Sequence, residues 1–510
     1  TTGGFYNFSN IRYAAPPVGN LRFQPPSEPE TNRTSIDQGT VGRMCPQSTG
    51  LWVLEALEFV ANYTQRLPFD PSLYTAPTKL PMDPRETEDC LFLDVVVSQK
   101  AFEGANDGSG APVMLWIHGG GYTSGSKDFY GIPAGILARS EQFDSRGVVF
   151  VAINYRLGAF GFSAGSTIQS DGVSNAGLLD QRFALDWVQK HISKFGGDPQ
   201  RVTVIGESAG GGSIMHQITA YGGKEVLKFN KAIAQSPGYV PYTSPDQQEA
   251  NLQEFLSLLN VSTLAEARAL PSSNLIQANI KQVAAAPYSS FIYGPVVDGS
   301  FVPEIPPLLL LHGQFDHNVE IMVGHNADEG LLFTDPTITT DDAFNSLVSN
   351  FVSESSVVSY IENTLYPPIF NGSMPYTDDL GRASVLTGEF VLACNTFYLD
   401  TAFLNETYAY IFSVPPALHG NDLPYTFYAG PYGSQYDSVL FNTTVAAVLQ
   451  DYITSFAVNG RPSTAVQDVP SFGKYGPNAV VSNLGSTGIT RITDNVANSR
   501  CKWWQLGLYT

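Results

Sequence analysis

One segment of the sequence constrains the fold more than any other. Residues 201–210 read RVTVIGESAG, in which a run of apolar, β-branched residues predicts a buried strand and the residues from Ala209 onward predict a helix. A G-x-S-x-G motif therefore fills the turn between a strand and a helix, and such a turn lifts the serine hydroxyl above the edge of a parallel sheet. Strand and helix pass so closely there that Gly206 and Gly210 leave no room for a side chain. The segment predicts that Ser208 is a nucleophile.

The sequence around this motif alternates between strand-like and helix-like patterns. Apolar runs predict strands at residues 113–117, 148–153, 202–205, 232–234, 319–323 and 408–412. Helical spacing predicts a crossover helix at 180–195, and residues from 236 to about 307 read as a largely helical insertion. This alternation is typical of an α/β protein with a large, mostly parallel central sheet flanked by helices. Because no linker, charge run or repeat divides the chain, we predict one domain over residues 1–510.

Charge and apolar patterning limit the partners of the chain. Its formal net charge of −20 leaves too few clustered lysines and arginines to bind a phosphate backbone, so no nucleic acid is expected. Apolar runs such as residues 308–311 fall far short of the roughly 20 residues that cross a bilayer, so we predict no transmembrane segment. The sequence begins at Thr1 without a basic, apolar leader, as expected of a mature secreted form.

Cysteines and glycosylation sequons indicate an oxidising compartment. The cysteines are even in number and lack the C-x-x-C spacing of a metal site, so we expect disulfides in an undecided pairing and no metal; they are Cys45, Cys90, Cys394 and Cys501. The N-x-S/T sequons begin at Asn7, Asn32, Asn62, Asn260, Asn371, Asn405 and Asn442. Together these features predict a secreted, extracellular glycoprotein.

A glycine-rich segment supplies candidate backbone donors beside the nucleophile. Residues 118–122, HGGGY, directly follow the predicted strand 113–117, where glycines let the backbone approach a ligand closely. We assign amide donors to Gly120 and Gly121, which with the amide of Ala209 would surround one carbonyl oxygen as an oxyanion hole. The alternative is a nucleotide-binding loop, but the segment lacks both G-x-G-x-x-G spacing and the lysine of a P-loop.

A serine nucleophile also needs a base and an orienting carboxylate. In this kind of sheet they follow the serine in the order acid, then histidine. His419 lies in the loop after the predicted strand 408–412, at the sheet edge where a catalytic residue is expected. Asp328 and Glu329 follow the preceding strand, and Asp298 is a third candidate acid, which is also typical of a turn. The residues alone do not decide among the three.

Six motifs, in this order, make the chain resemble the type-B carboxylesterase family, which includes fungal esterases and lipases, cholinesterases and non-catalytic adhesion relatives. They lie at residues 12–19 with 21–23, 88–93, 118–122, 206–210, 328–330 and 419–422, so the resemblance spans nearly the whole chain. Within the family, the chain is most like a secreted fungal carboxylesterase. The resemblance implies the α/β-hydrolase fold.

The resemblance also implies roles for individual residues. It makes Glu329 the acid of the triad and Asp328 a structural residue. It pairs Cys45 with Cys90 and Cys394 with Cys501, and it makes Arg22 and Glu88 a structural ion pair. Glu207, beside the nucleophile, either tunes the field around the imidazolium or makes a structural hydrogen bond.

The implied activity is hydrolysis of a small-molecule carboxylic ester through an acyl-enzyme on Ser208, without metal or organic cofactor. The closest alternative is a lipase whose lid is the apolar segment 51–60 in the loop between Cys45 and Cys90, although that segment is also typical of a permanently packed helix. A cholinesterase is disfavoured because Trp52 lies too near Cys45 to match the choline-binding tryptophan. A non-catalytic binding protein would lack part of the triad. Acyl preference, alcohol preference and oligomeric state do not follow from the sequence.

Overall fold

The computed structural model of the chain describes residues 4–31, 34, 38–77, 80, 82–105, 108, 110–241, 244–430 and 442–509. Within these residues one ten-stranded sheet has the strand order β1-β2-β4-β3-β5-β6-β7-β8-β9-β10. The strands are β1 Phe5–Arg12, β2 Phe92–Ser98, β3 Ala111–Ile117, β4 Val149–Ile153, β5 Gly197–Glu207, β6 Lys231–Gln235, β7 Glu320–Asn326, β8 Tyr408–Ser413, β9 Val480–Gly485 and β10 Gly488–Thr493.

The strands from β4 through β9 pair in parallel, whereas β1, β2 and β10 pair antiparallel at the two edges. All six predicted strands are present, each within a few residues of its expected bounds. The predicted fold class, an α/β-hydrolase fold with a mostly parallel sheet, is confirmed.

Helices cover both faces of the sheet. They are α1 Leu51–Thr64, α2 Gln99–Glu103, α3 Ala134–Ser140, α4 Gly158–Phe162, α5 Ser166–Asp171, α6 Ala176–His191, α7 Ala209–Thr219, α8 Pro245–Leu258, α9 Leu264–Ala269, α10 Ser272–Ala284, α11 Pro306–Leu311, α12 Asp341–Phe351, α13 Ser355–Tyr360, α14 Asp379–Gly388, α15 Cys394–Ala402, α16 Leu423–Thr426, α17 Thr443–Asn459 and α18 Ser499–Trp504. The predicted crossover helix is α6, and α8 to α10 form the predicted helical insertion.

The central strands are apolar throughout because both of their faces are buried. In β3, Val113 and Leu115 belong to a core on one face, whereas Met114 and Trp116 belong to a second core on the other face. Successive side chains of a strand point to opposite faces, so a strand covered on both sides needs a continuous apolar run. The second core is closed mainly by α3 and α17.

Two disulfides and a buried ion pair tie the loops to this sheet. The structure joins Cys45 to Cys90 and Cys394 to Cys501. Arg22 donates from Nε and Nη2 to the carboxylate of Glu88 at 2.8 and 2.7 Å. The sequon asparagines in the described residues are exposed or half-buried, and Asn32 lies outside those residues. In the described part of the chain, no helix has both the length and the apolar character needed to cross a bilayer.

Candidate active site

Ser208 occupies the turn between β5 and α7 with φ 57° and ψ −123°, a conformation that non-glycine residues rarely adopt. Its backbone N–H donates to the carbonyl of Gln235 at 3.0 Å, and its own carbonyl accepts from the N–H of Gly238 at 2.9 Å. A Cβ on Gly210 would lie 2.0 Å from the carbonyl oxygen of Ile117, and a Cβ on Gly206 would meet the backbone of Gly210. The predicted close approach of strand and helix is confirmed.

The three predicted oxyanion donors lie next to Ser208. In the described part of the chain, the amides of Gly120, Gly121 and Ala209 donate to no protein acceptor. Gly120 and Gly121 have φ of 109° and 61°, and a Cβ on Gly120 would lie 2.2 Å from the carbonyl oxygen of Ser124. The loop therefore requires glycine, and its amides are left free to bind a carbonyl oxygen.

His419 and Glu329 are in direct contact. Nδ1 of His419 lies 2.6 Å from Oε2 of Glu329. The other carboxylate oxygen of Glu329 accepts from Oγ of Ser236 at 2.6 Å and from the backbone N–H of Asn326 at 2.5 Å. Because the acceptor is a carboxylate, Nδ1 carries the proton and Nε2 is left to act as the base. Ser208 and His419 line the same cavity.

Two further carboxyl groups lie near the imidazole. Oε1 of Glu207 lies 3.3 Å from Nε2 of His419. Asp422, fully buried, accepts hydrogen bonds from Tyr410 and Gln235. His419 therefore has acidic neighbours on several sides.

These neighbours shift the pKa values of the site. Burial by itself lowers the pKa of His419, but the charges of Glu207 and Glu329 outweigh burial and raise it. Burial raises the pKa of Glu207 and of Asp422. Burial would also raise the pKa of Glu329, but the charge and hydrogen bond of His419 hold it below its ordinary value. The contact with His419 thus favours the ionised form of Glu329.

The other candidate residues lie elsewhere. Asp328 accepts from Ser384 at 3.2 Å, and Asp298 accepts from the backbone amides of a turn. His118 and His216 are buried, and burial lowers the pKa of each to about 4. Each directs Nδ1 to a nearby backbone carbonyl, so both are structural.

The cavity above Ser208 is lined mainly by apolar groups. Its volume is about 230 Å³, and its walls include Trp52, Phe291 and Phe333. The indole N–H of Trp52 donates to the carbonyl of Ser290 at 3.1 Å, so the ring is held against the wall. Among the described residues, no cluster of His, Cys, Asp or Glu has the arrangement of a metal site.

Three buried polar residues that are connected to the Glu329–His419 pair were not predicted from the sequence. Ser236 directly follows β6 and Asn326 ends β7, so both lie at the same sheet edge as the nucleophile. Asp422 lies in the motif at 419–422, which by itself indicates no role for this residue. The sequence feature that could have indicated these residues is a polar side chain at the end of a parallel strand.

Comparisons with known proteins give the family and the fold of the chain. The sequence profile of the carboxylesterase family matches residues 1–504. The chain is 42% identical to carboxylesterase patB of Penicillium expansum, over 99% of this chain and 92% of that protein. It is 30% identical to the secreted triacylglycerol lipase LIP1 of Gibberella zeae, over 91% of this chain and 81% of that protein. The crystal structure of Aspergillus niger EstA superposes with a TM-score of 0.81 at 26% identity, covering 99% of this chain and 95% of that one.

Proposed function

The chain belongs to the carboxylesterase family and is a carboxylester hydrolase, and from this premise we propose that Ser208 is its nucleophile, His419 its general base and Glu329 the carboxylate that orients the base. The observation that carries the proposal is the 2.6 Å contact between Nδ1 of His419 and Glu329, in a cavity that Ser208 also lines. A buried carboxylate on Nδ1 fixes the tautomer that leaves Nε2 able to accept a proton.

Acylation begins with neutral His419. Its Nε2 accepts the proton of the Ser208 hydroxyl while the serine oxygen attacks the carbonyl carbon of the ester. The carbonyl oxygen becomes an oxyanion, which the amides of Gly120, Gly121 and Ala209 stabilise by hydrogen bonds. These amides donate to no protein acceptor in the described part of the chain, so no hydrogen bond has to be broken as the charge develops.

Breakdown of the tetrahedral intermediate returns the proton. The imidazolium of His419 donates it to the alkoxide oxygen, the alcohol leaves, and the acyl group remains on Ser208. A water molecule then attacks the acyl-enzyme with His419 again as base, which releases the carboxylic acid and restores the serine hydroxyl. Glu329 and Glu207 both stabilise the imidazolium that exists between the two proton transfers.

The lipase alternative depends on movement of α1. This helix buries Phe59 and Val60 against Leu331 and Leu418, which flank the acid and the base. Opening it would expose these side chains, so the packing favours a helix that stays in place. Activity that rises sharply when a long-chain ester exceeds its solubility limit would instead support the lipase.

The alternative of a non-catalytic binding protein is not favoured. A protein that had lost catalysis would have no need of a serine held at φ 57° or of three free amides beside it. Strained backbone persists only where the surrounding structure maintains it.

We further propose that the protein acts outside the cell. Support comes from the two disulfides, from the sequons on accessible asparagines, and from the secreted lipase among its relatives. Enzymatic removal of N-linked glycans from protein made in a eukaryotic host should lower its mass; an unchanged mass would contradict glycosylation.

The proposal is tested by Ser208→Ala, with Ser290→Ala as the matched control because that serine lines the same cavity. Ser208→Ala should fold normally and lose turnover of 4-nitrophenyl acetate, whereas Ser290→Ala should keep it. A fluorophosphonate should add its mass to the peptide that contains Ser208 in the wild type only. Turnover by pure Ser208→Ala at the wild-type rate would reject the assignment.

A further inference from the structure

A second, much smaller space meets the cavity at Ser208. Its volume is about 30 Å³, whereas a single water needs on the order of 10–15 Å³ on the same scale. Ser208, Gly121 and Phe291 line both spaces, so the nucleophile lies at the junction between them. Of the described residues, His419 lines only the larger space and Ala209 lines only the smaller one.

The different lining of the two spaces indicates where the acyl half and the alcohol half of an ester bind, given the proposed roles of Ser208 and His419. The leaving alcohol must receive its proton from His419, so it must lie in the space that His419 lines. The acyl group stays bonded to Ser208 after the alcohol leaves, and the free space on the side away from His419 is the smaller pocket. The smaller pocket is therefore the acyl site and the larger cavity is the alcohol site.

Rigid groups enclose the acyl site. Gly238 donates its N–H to the carbonyl of Ser208 at 2.9 Å, and its own carbonyl accepts from the hydroxyl of Tyr122 at 3.1 Å. The hydroxyl of Tyr293 donates to Gln282 at 2.5 Å, and the ring of Tyr239 packs against His216. All three tyrosines are almost completely buried, so these walls cannot move aside without unpacking the core.

Leu392 lines the acyl site close to the backbone beside Ser208. A Cβ placed on Gly238 would lie 2.5 Å from Cδ2 of Leu392, which shows how closely the leucine approaches the backbone beside Ser208. Leu392 lies on a π-helical turn, Glu389–Ala393, between α14 and α15. Such turns are rare and are frequently found at functional sites.

The π-helical turn is anchored from behind. Glu389 accepts two hydrogen bonds from Arg500, at 2.7 and 2.6 Å, and one from the hydroxyl of Tyr366 at 2.6 Å. Asn498 donates to the same carboxylate at 2.8 Å. A bidentate contact with arginine fixes the position of the Glu389 carboxylate as well as stabilising it. The turn that carries Leu392 is therefore held in place.

We propose that Leu392 limits the acyl group of the substrate to acetyl or a group of similar size, and that the alcohol half is the larger half. The volume of the acyl site admits a few atoms and no extended chain. The alcohol site has room for a ring system, and Trp52, Phe291 and Phe333 offer it apolar, aromatic contacts. The preferred substrate class is thus the acetate ester of an apolar or aromatic alcohol.

The test compares 4-nitrophenyl acetate, butyrate and hexanoate, which share one leaving group and differ only in the acyl chain. We expect kcat/KM of the wild type to fall by about tenfold or more from acetate to hexanoate, the scale of steric rejection in an apolar pocket. Leu392→Ala should raise kcat/KM for hexanoate by about tenfold or more and leave acetate within a few fold. The matched control is Leu332→Ala, because Leu332 lines the alcohol site and not the acyl site, and it should leave the ratio of hexanoate to acetate unchanged.

Titration with a fluorophosphonate counts the active sites, so that each rate can be expressed per active enzyme molecule. Leu392→Val is a milder change and should raise kcat/KM for hexanoate by a smaller factor. The inference would be overturned if kcat/KM of the wild type stayed constant or rose with the length of the acyl chain. It would also be overturned if Leu392→Ala changed kcat/KM for all three esters by the same factor. If Ser208→Ala is inactive while the wild type prefers hexanoate, the proposed function stands and this inference alone fails. If Ser208→Ala keeps activity, the proposed function itself fails.

Discussion

Oε2 of Glu329 and Nδ1 of His419 lie 2.6 Å apart, and both oxygens of the carboxylate are occupied. Ser236 and the backbone N–H of Asn326 bind Oε1, so the carboxylate cannot rotate away from the imidazole without losing them. This arrangement fixes the ring with Nε2 facing Glu207 and the cavity. The contact between Glu329 and the imidazole is therefore maintained before any substrate binds.

The first prediction concerns Glu329→Gln. The amide cannot stabilise the imidazolium and can favour the wrong tautomer, so kcat should fall by about 10³–10⁴-fold with little change in folding. Asp328→Asn is the matched control, because Asp328 is the adjacent carboxylate and accepts a hydrogen bond from Oγ of Ser384 at 3.2 Å. Steady-state kinetics on 4-nitrophenyl acetate measure both variants. Equal losses in the two would mean that the acid has been assigned to the wrong residue.

The second prediction concerns pH. His419 accepts the serine proton only when it is neutral, so kcat/KM should fall as the pH drops through its pKa, which Glu207 and Glu329 raise. Glu207→Gln removes the carboxyl group 3.3 Å from Nε2 whose charge raises the pKa of His419, so that pKa should fall and the acid limb should move to lower pH. Glu103→Gln, which changes an exposed carboxylate, should leave the limb in place. An acid limb unmoved in Glu207→Gln would show that this carboxyl does not act on the base.

The third prediction tests the oxyanion donors through Gly121→Ala. Its φ of 61° disfavours alanine, and the new Cβ would lie 2.3 Å from Cε1 of Phe291, so the loop must shift and its amide must turn away. Loss of such a donor lowers kcat by about 10²–10³-fold. Gly131→Ala is the control, because φ there is also positive, at 76°, and no atom lies within 4 Å of the added Cβ. Similar kcat values in the two variants would remove Gly121 from the oxyanion hole.

The centre of the sheet and the nucleophile turn were predictable because their causes are local. A strand buried on both faces needs an uninterrupted apolar run, and the close crossing at Ser208 needs glycine at fixed positions. Edge strands lack that signature. Strand β10 lies at one edge and is largely exposed. Strand β2, next to the other edge, is buried but carries Asp94, whose charge is paired with Lys127 at 2.8 Å.

The arrangement around the acid was not predictable from local pattern. Asp328 and Glu329 are neighbours in sequence, and only the backbone direction of the loop decides which carboxylate meets His419. Ser236 lies 93 residues before Glu329 and reaches it because β6 and β7 are adjacent in the sheet. Contacts of this kind depend on strand order, which is a property of the whole fold.

The fourth prediction concerns stability and separates a buried ion pair from an exposed one. Arg22 and Glu88 have side chains only 5% and 1% exposed, and Nη1 of Arg22 also donates to carbonyl groups near the end of α9. Glu88→Gln leaves the guanidinium buried without its counter-charge, so the free energy of unfolding should fall by about 3–5 kcal/mol.

The control for that prediction is Glu28→Gln, which breaks the pair with Lys190, where the side chains are 67% and 53% exposed. Solvent screens such a pair, so its loss should cost only about 0–1 kcal/mol. Denaturant unfolding with both disulfides intact gives the two values, and activity per folded molecule should stay unchanged because neither pair lines the cavity. Equal destabilisation by the two substitutions would mean that water reaches Arg22 and that its charge needs no partner in the fold.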